Sequence, residues 1–369
     1  MAGLLDLVHT LTTPHPLDRY LELVRPTLTV RDIRAEVLSV DRSVPGSVTL
    51  VVRPNRSWKG HAAGQYVQLG VVIDGVRHTR CYSPIDAESG DGRRLTLTVK
   101  VHPEGLVSRY LEREAAPGMV VDLEPAAGIF RLPEPRPDNL LLISGGSGIT
   151  PVLSMLSTLA DEGYPGRVVF LHYARSPKEV PHRDRLAEIA RRNGNVDIIL
   201  GYPELGRSER LGREPWRCDR TPAAKHLDYD ELAWIAPFFA TAETYVCGPP
   251  ALMRSVREIY EAEGLGEHLH SEEFTVTLAP VDADEVTGVT TFSASDVTAD
   301  NAGDTLLDQA ESAGLKPEFG CRMGICLSCT AIKRTGCTRN LRTGDLDTDP
   351  DQPIQLCVSS AVGDVDIEI

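Results

Sequence analysis

Gly320-Cys321-Arg322-Met323-Gly324-Ile325-Cys326-Leu327-Ser328-Cys329 is the stretch on which the reading of this chain turns, and Cys357 answers it from farther along. Four residues separate Cys321 from Cys326, and two separate Cys326 from Cys329. This is the plant-type spacing of a [2Fe–2S] site, in which one loop wraps the cluster and a distant fourth thiolate closes it. Iron in such a cluster wants soft, charge-donating ligands, which thiolates are. Gly320 and Gly324 let the backbone curl and aim amide N–H groups at sulfur. A zinc knuckle would bring two matched C-x-x-C hooks, and only one is present. Cys337 is a second candidate for the fourth ligand. Cys357, in the apolar, strand-like run Ile354–Val358 at the longer spacing, is the expected one, and Cys337 reads as a spare thiol in an exposed turn. A one-electron carrier needs a donor and an acceptor, so the rest of the chain has to supply them.

The 369 residues suggest two to four domains, and the 41% hydrophobic content is ample for real cores. Formal net charge is −15, and residues 275–369 carry 16 Asp+Glu against 6 Lys+Arg, so −10 of it lies in the cysteine-rich quarter. That distribution excludes nucleic-acid binding, which needs a basic footprint, and suits an acidic docking face for a basic protein. Some of these charges simply solvate the surface. Eight cysteines, five of them within residues 321–357, are not a secreted disulfide framework. They imply a reducing compartment. No apolar run approaches the length of a membrane span, and Met1–Leu11 lacks a basic start and a cleavage site. The chain reads as cytoplasmic.

Residues 1–30 read as a leader. From Arg31, short β-rich runs (Ile33–Val40, Ser47–Val52, Gln65–Ile73, Leu95–His102) alternate with turn residues, and Leu106–Glu114 is one helix. This predicts an antiparallel β-barrel over 31–135. Past the Pro-rich stretch at 133–137 the pattern becomes α/β, with strands at Leu140–Ser144, Val168–Tyr173, Val196–Leu200 and Thr244–Cys247. Helices are predicted at Pro151–Glu162, Arg183–Arg192 and Pro250–Glu263, and Leu205–Asp228 as an exposed excursion. Such alternation predicts a parallel sheet over 136–274 with helices on both faces. Residues 275–369 start β-rich, then give a helix at Thr305–Ala313 and the cysteine loop.

Four further stretches carry chemistry. Gly145-Gly146-Ser147-Gly148-Ile149-Thr150-Pro151 joins a buried strand to a helix, so a pyrophosphate can approach its backbone at a helix N-terminus. Pro151 suits the first helical position, where no donor is lost. Cys247-Gly248-Pro249-Pro250 follows a later strand of the same sheet, at the carboxyl edge where open α/β sheets bind ligands. A rigid strand-to-helix turn is its plainer reading. Arg80-Cys81-Tyr82-Ser83 offers a cation, an aromatic face and a hydroxyl, with Arg80 and Tyr82 on one strand face. Gly105-Leu106-Val107-Ser108 opens the short helix and could hold a second phosphate.

Together these stretches resemble the ferredoxin–NADP reductase superfamily over nearly the whole chain. The resemblance implies a flavin domain, a nucleotide domain and a C-terminal β-grasp ferredoxin domain, an order similar to that of oxygenase and desaturase reductases. It implies that Arg80 binds a flavin phosphate, that Tyr82 packs on the isoalloxazine and that Ser83 lies near its reactive nitrogen. Gly105 to Ser108 points to FAD rather than FMN, and Cys81, Lys100 and His102 join the cofactor-binding set. Gly146–Pro151 and Cys247–Pro249 resemble the nicotinamide-nucleotide loops, which implies that Cys247 lies near the nicotinamide. Phe274 holds the place of an aromatic flavin cover, with Glu273 beside it as a catalytic candidate. The leader from Pro14 to Leu23 looks most like actinobacterial partners of acyl-CoA desaturases.

Electron bookkeeping agrees. A nicotinamide gives up two electrons together, the cluster accepts one, and a flavin can mediate between them. The expected function is therefore transfer from NADPH, through FAD and a [2Fe–2S] cluster, to an oxygenase or desaturase. After the strand Val168–Tyr173, Arg175 and Ser176 are the expected partners of a 2′-phosphate, so NADPH is expected over NADH. The rival readings are a soluble oxidoreductase reducing a small acceptor and a redox-sensing binding protein. The first would not need the ferredoxin quarter, and the second would need an output domain.

Overall fold

A computed structural model of the chain describes residues 27–29, 32–90, 92–203, 227–274, 281, 286–320, 322–324 and 327–369. The leader before residue 27, most of the excursion expected at 205–228, and Cys321 and Cys326 lie outside them. The chain divides into two compact units, Met1–His78 with Tyr82–Phe274, and Thr79–Cys81 with Thr275–Ile369.

The first unit opens with β1 (Ile33–Asp41), β2 (Ser47–Pro54), β3 (Val67–Ile73), β4 (Val76–Tyr82) and β5 (Leu95–Lys100), then helix α1 (Leu106–Glu114) and β6 (Val120–Leu123). Period-two burial explains why these runs form strands: Ile33, Ala35 and Val37 of β1, and Val48, Leu50 and Val52 of β2, enter one core. The six strands form one antiparallel sheet in the order β4-β3-β6-β1-β2-β5. It curls rather than closing as a continuous ladder. Its edges are joined by an isolated bridge, Pro84 with Leu97, because proline has no N–H to extend the pairing. This curled antiparallel sheet is the barrel expected from the sequence.

Next come β7 (Asn139–Gly145), α2 (Ile149–Asp161), β8 (Arg167–Tyr173), α3 (Arg183–Arg192), β9 (Val196–Gly201), α4 (Tyr229–Ile235), β10 (Glu243–Cys247), α5 (Pro250–Ala262) and β11 (Leu269–Glu272). The strands form a parallel sheet in the order β11-β10-β7-β8-β9. Both faces are covered, as continuous apolar runs require. Leu140 and Leu142 pack with α2 and α3, whereas Leu141 and Ile143 pack with α4 and α5. Helix α2 is buried almost all round, because Ala63, Ile85, Phe130 and Leu132 cover the side turned from the parallel sheet. Polar ties reinforce this joint: Ser154 donates to the Asp86 carbonyl at 2.7 Å, and Arg136 pairs with Glu88 at 2.5 Å and with Glu162 at 2.7 Å.

The second unit contains β12 (Val289–Phe292), β13 (Val297–Asp300), α6 (Leu306–Ser312), β14 (Thr330–Asn340), β15 (Leu346–Asp347), β16 (Gln352–Gln355) and β17 (Ser359–Glu368). The sheet runs β13-β12-β17-β14-β15, with β16 on β14, and β12 parallel to β17. Leu306, Leu307 and Ala310 of α6 share its core, the β-grasp arrangement. Lys333 is fully buried on β14 and pairs with Asp347 at 2.9 Å.

Candidate functional site

Arg80, Cys81 and Tyr82 end β4, and Ser83 leaves the strand just before the Pro84 bridge. Tyr82 packs against the core of the curled sheet, and Arg80 donates to the Thr79 carbonyl at 2.8 Å. Ser83 is 1% exposed, and its hydroxyl has no hydrogen-bond partner. A buried orphan hydroxyl is costly, and it fits a polar ring atom of a bound flavin. Gly105 caps α1 without a side-chain bond, leaving the first amides of the helix for an anion. A Cβ there would meet Ser108 Oγ at 2.4 Å and His102 Cβ at 3.0 Å. Ser108 Oγ donates to the Gly105 carbonyl and accepts from the His102 amide, both at 3.2 Å, so this turn is prebuilt. Leu106 and His102 are exposed, whereas the Val107 side chain lies in the sheet core and can offer a ligand only backbone. His102 sits past the end of β5, not in the strand.

The two nucleotide loops interlock. Gly146–Gly148 form a single 3-10 turn before α2, and Gly146 has φ 54°. A Cβ on Gly148 would lie 2.1 Å from the Cys247 carbonyl oxygen, and one on Gly145 would lie 2.7 Å from Pro249 Cδ. Only glycine lets Gly145–Gly148 and Cys247–Pro249 approach this closely. Helix α2 starts at Ile149, so Pro151 is the third helical residue rather than the first. Its missing N–H is still one the first turn cannot use. Thr150 Oγ1 donates to the Ser147 carbonyl at 3.2 Å and tightens the turn.

A cavity of about 380 Å³ opens over these loops. From the expected set it is lined by Lys100, Gly146, Ser147, Ile149, Thr150, Arg175 and Pro249, joined by Ser47 and Thr98 of the curled sheet and by Tyr173, Glu179 and Leu252. Its size is ordinary for a small-molecule site. It lies at the carboxyl ends of β7, β8 and β10. Ser176 and Gly248 flank it in sequence. Arg175 is 65% exposed and meets Glu179 at 2.7 Å, and Ser176 Oγ donates to the other Glu179 oxygen at 3.2 Å.

Behind the loops, Cys247 is fully buried, and burial pushes its thiol pKa up, with Glu272 and Glu273 adding to the effect. It is a neutral thiol, not a thiolate nucleophile. In the parallel register Cys247 stands beside Glu272. Burial raises the Glu272 carboxyl to about 8, and its Oε2 has no partner. Glu273, the catalytic candidate, pairs with Arg257 at 2.8 Å. Sequence reading missed Glu272 because adjacent glutamates differ only in strand parity, and β11 is a four-residue edge strand. Phe274 packs against the core of the parallel sheet.

In the second unit, Cys329 and Cys357 are 2% and 4% exposed. The Leu356 amide donates to the Cys329 carbonyl at 3.1 Å, which sets the two cysteines side by side. Cys357 sits in a 3-10 turn, Leu356–Val358, not in the strand-like run expected. Cys337, expected in an exposed turn, is half-buried inside β14 opposite Val362. Eight strand residues from Cys329 place it roughly 25 Å away. Arg322, Gly324 and Leu327 have φ 56°, 70° and 59°, so the loop curls as a cluster wrap demands. Arg322 anchors the curl on α6 through Asp308 at 2.9 Å and Glu311 at 2.5 Å. Buried sulfurs within a curled backbone fit an iron–sulfur cluster.

Three family models cover the chain: an oxidoreductase FAD-binding domain at residues 47–132, an oxidoreductase NAD-binding domain at 142–258 and a 2Fe-2S iron-sulfur cluster binding domain at 291–361. An NADPH oxidoreductase of Mycobacterium tuberculosis H37Rv is 36% identical over 97% of this chain and 90% of its own length. The chain belongs to the ferredoxin–NADP reductase superfamily. Within it, a glycine betaine monooxygenase reductase subunit of Pseudomonas aeruginosa is 30% identical over 83% of this chain and 86% of that one. Phthalate dioxygenase reductase shares the fold, with TM-score 0.59 and 22% identity over 91% of this chain and 97% of that one. The protein is thus a ferredoxin-reductase-type NAD(P)H oxidoreductase with FAD-binding, NAD-binding and [2Fe–2S] domains, of the kind that serves as the reductase component of oxygenase systems. No helix among the described residues is long and apolar enough to cross a membrane.

Proposed function

We propose that this reductase takes electrons from NADPH and passes them through FAD and one [2Fe–2S] cluster to a separate oxygenase or fatty acyl desaturase in the cytoplasm. The observation that carries the reading is the single cavity in which Lys100 of the curled sheet, the glycine loop before α2 and Arg175 after β8 face one another. The names of the M. tuberculosis and P. aeruginosa relatives support the coenzyme and the oxygenase class. The acidic C-terminal quarter suits a basic docking face on the acceptor.

A bound flavin supplies the exchange between two-electron and one-electron chemistry. The chain's own residues do the holding. Arg80 and the Gly105–Ser108 turn bind flavin phosphates, Tyr82 packs on the ring and the orphan Ser83 hydroxyl bonds to it. Lys100 and the first amides of α2 hold the coenzyme pyrophosphate, while Arg175 and Ser176 hold its 2′-phosphate. The neutral Cys247 thiol backs the loops at the nicotinamide end, and Glu272, protonated at neutral pH, keeps a hydrogen-bond donor there without adding charge. Cys321, Cys326, Cys329 and Cys357 hold the cluster. The domains run 31–135, 136–274 and 275–369.

Incubation of the purified reductase and NADPH with candidate oxygenases and desaturases tests the reading. The expected result is coenzyme oxidation coupled to product only with the cognate acceptor. Rapid NADPH oxidation with quinones or oxygen alone, and none coupled to any such acceptor, would favour the small-acceptor rival.

A further inference from the structure

The two side chains that would receive a 2′-phosphate are already occupied by a carboxylate. Arg175 Nε and Nη2 both donate to Glu179 Oε2, at 2.8 and 2.7 Å, and Ser176 Oγ donates to Glu179 Oε1 at 3.2 Å. The backbone builds this arrangement. The Glu179 amide donates to the Ser176 carbonyl at 3.1 Å, closing a 3-10 turn started by Pro177, and that turn folds the glutamate back over Arg175. Glu179 is 26% exposed and lines the same cavity as Arg175. A helix-surface pair would be worth little. This one puts an anion where the ligand's own anion must go.

We propose that Glu179 is an internal stand-in for the 2′-phosphate and sets the coenzyme selectivity of the site. The inference rests on the NADPH reading given above. NADPH has to displace the carboxylate from Arg175 and Ser176, and like charges brought together cost binding free energy. NADH needs no displacement, and its ribose hydroxyls can donate to Glu179, the role acidic residues take in NAD-specific folds. Preference for NADPH in the parent protein is therefore smaller than Arg175 and Ser176 alone would give. Glu179 holds both coenzymes within reach of one site.

The test compares Glu179→Gln and Glu179→Ala with the parent full-length holoprotein. It uses steady-state ferricyanide reduction with NADPH and with NADH, and calorimetric titration with adenosine 2′-monophosphate and adenosine 5′-monophosphate. Both variants should lower the NADPH KM about tenfold with kcat little changed, and tighten the 2′-monophosphate alone by a similar factor. NADH efficiency should stay level or fall. In Arg175→Ala/Glu179→Gln the gain should vanish, since the two residues act on one phosphate. A raised NADPH KM in both variants would mean that Glu179 pre-positions Arg175, and unchanged NADPH and 2′-monophosphate affinities would mean an idle surface pair. Either result overturns the inference. The NADPH reading fails separately, if Arg175→Ala leaves the NADPH to NADH efficiency ratio of the parent unchanged.

Discussion

Cys357 and Cys337 show how a single residue decides what this chain can hold. Both follow the C-x-x-C hook, but only Cys357 is brought back to Cys329, by the Leu356 amide on the Cys329 carbonyl. Cys357→Ser should lose or alter the spin-resonance signal of the reduced protein and lower its iron content. Cys337→Ser should leave both unchanged, and the reverse pattern would reassign the fourth ligand. Glu272 is a second such residue. Its pKa is raised to about 8 from an ordinary 4.5, so folding favours its protonated form. Its neutral state is tolerated below the ordinary value, and the stability it leaves in place is lost as pH rises toward and through 8. Glu272→Gln, which stays neutral, should therefore gain stability over the parent progressively from about pH 5 to pH 8. Thermal unfolding across that range checks it, and a parallel pH dependence in parent and variant would show the carboxyl to be solvated.

At the scale of elements, the glycine loop before α2 and the turn after β10 act as one part. Gly148→Ala would drive a methyl into the Cys247 carbonyl, forcing the two loops apart. We expect a cost of about 1–3 kcal/mol in stability and weaker coenzyme binding, with the [2Fe–2S] signal of chemically reduced protein unchanged. Unaltered coenzyme affinity would refute the interlocked-loop account. The elements legible in the sequence are those with one strong pattern. The buried parallel strands read as apolar runs, and α1 and α3 read to the residue. Of β4 only the end at Arg80 and Tyr82 reads as a strand, and β6 and β11 do not read out. VRHTRCY of β4 is half-exposed and charge-bearing, and β6 and β11 have four residues each. Their pairing is set by neighbours distant in sequence. Helix α4 was legible and missed: Asp228 accepts from the Glu231 amide at 2.9 Å, the start signal of a capping box. The curled sheet was legible as a barrel because period-two patterning tells which face is buried, though not that its edges meet through the single Pro84–Leu97 bridge.

For the whole molecule, the sequence carried the order of cofactor stretches because each is contiguous: the cysteine loop, the two nucleotide loops, and Arg80–Ser83. What it could not carry was whatever depends on side chains meeting from separate elements. The Glu179 carboxylate on Arg175 and Ser176, and the placing of Glu272 beside Cys247, are of that kind. Together these stretches form one electron path within one chain. Anaerobic addition of NADPH to the purified full-length protein, followed by spin-resonance of the frozen sample, tests it most directly. The flavin should bleach together with the appearance of the signal of a single reduced [2Fe–2S] centre per chain, the latter absent from protein stripped of FAD. A bleached flavin with a cluster that only an external chemical reductant can reduce would contradict it.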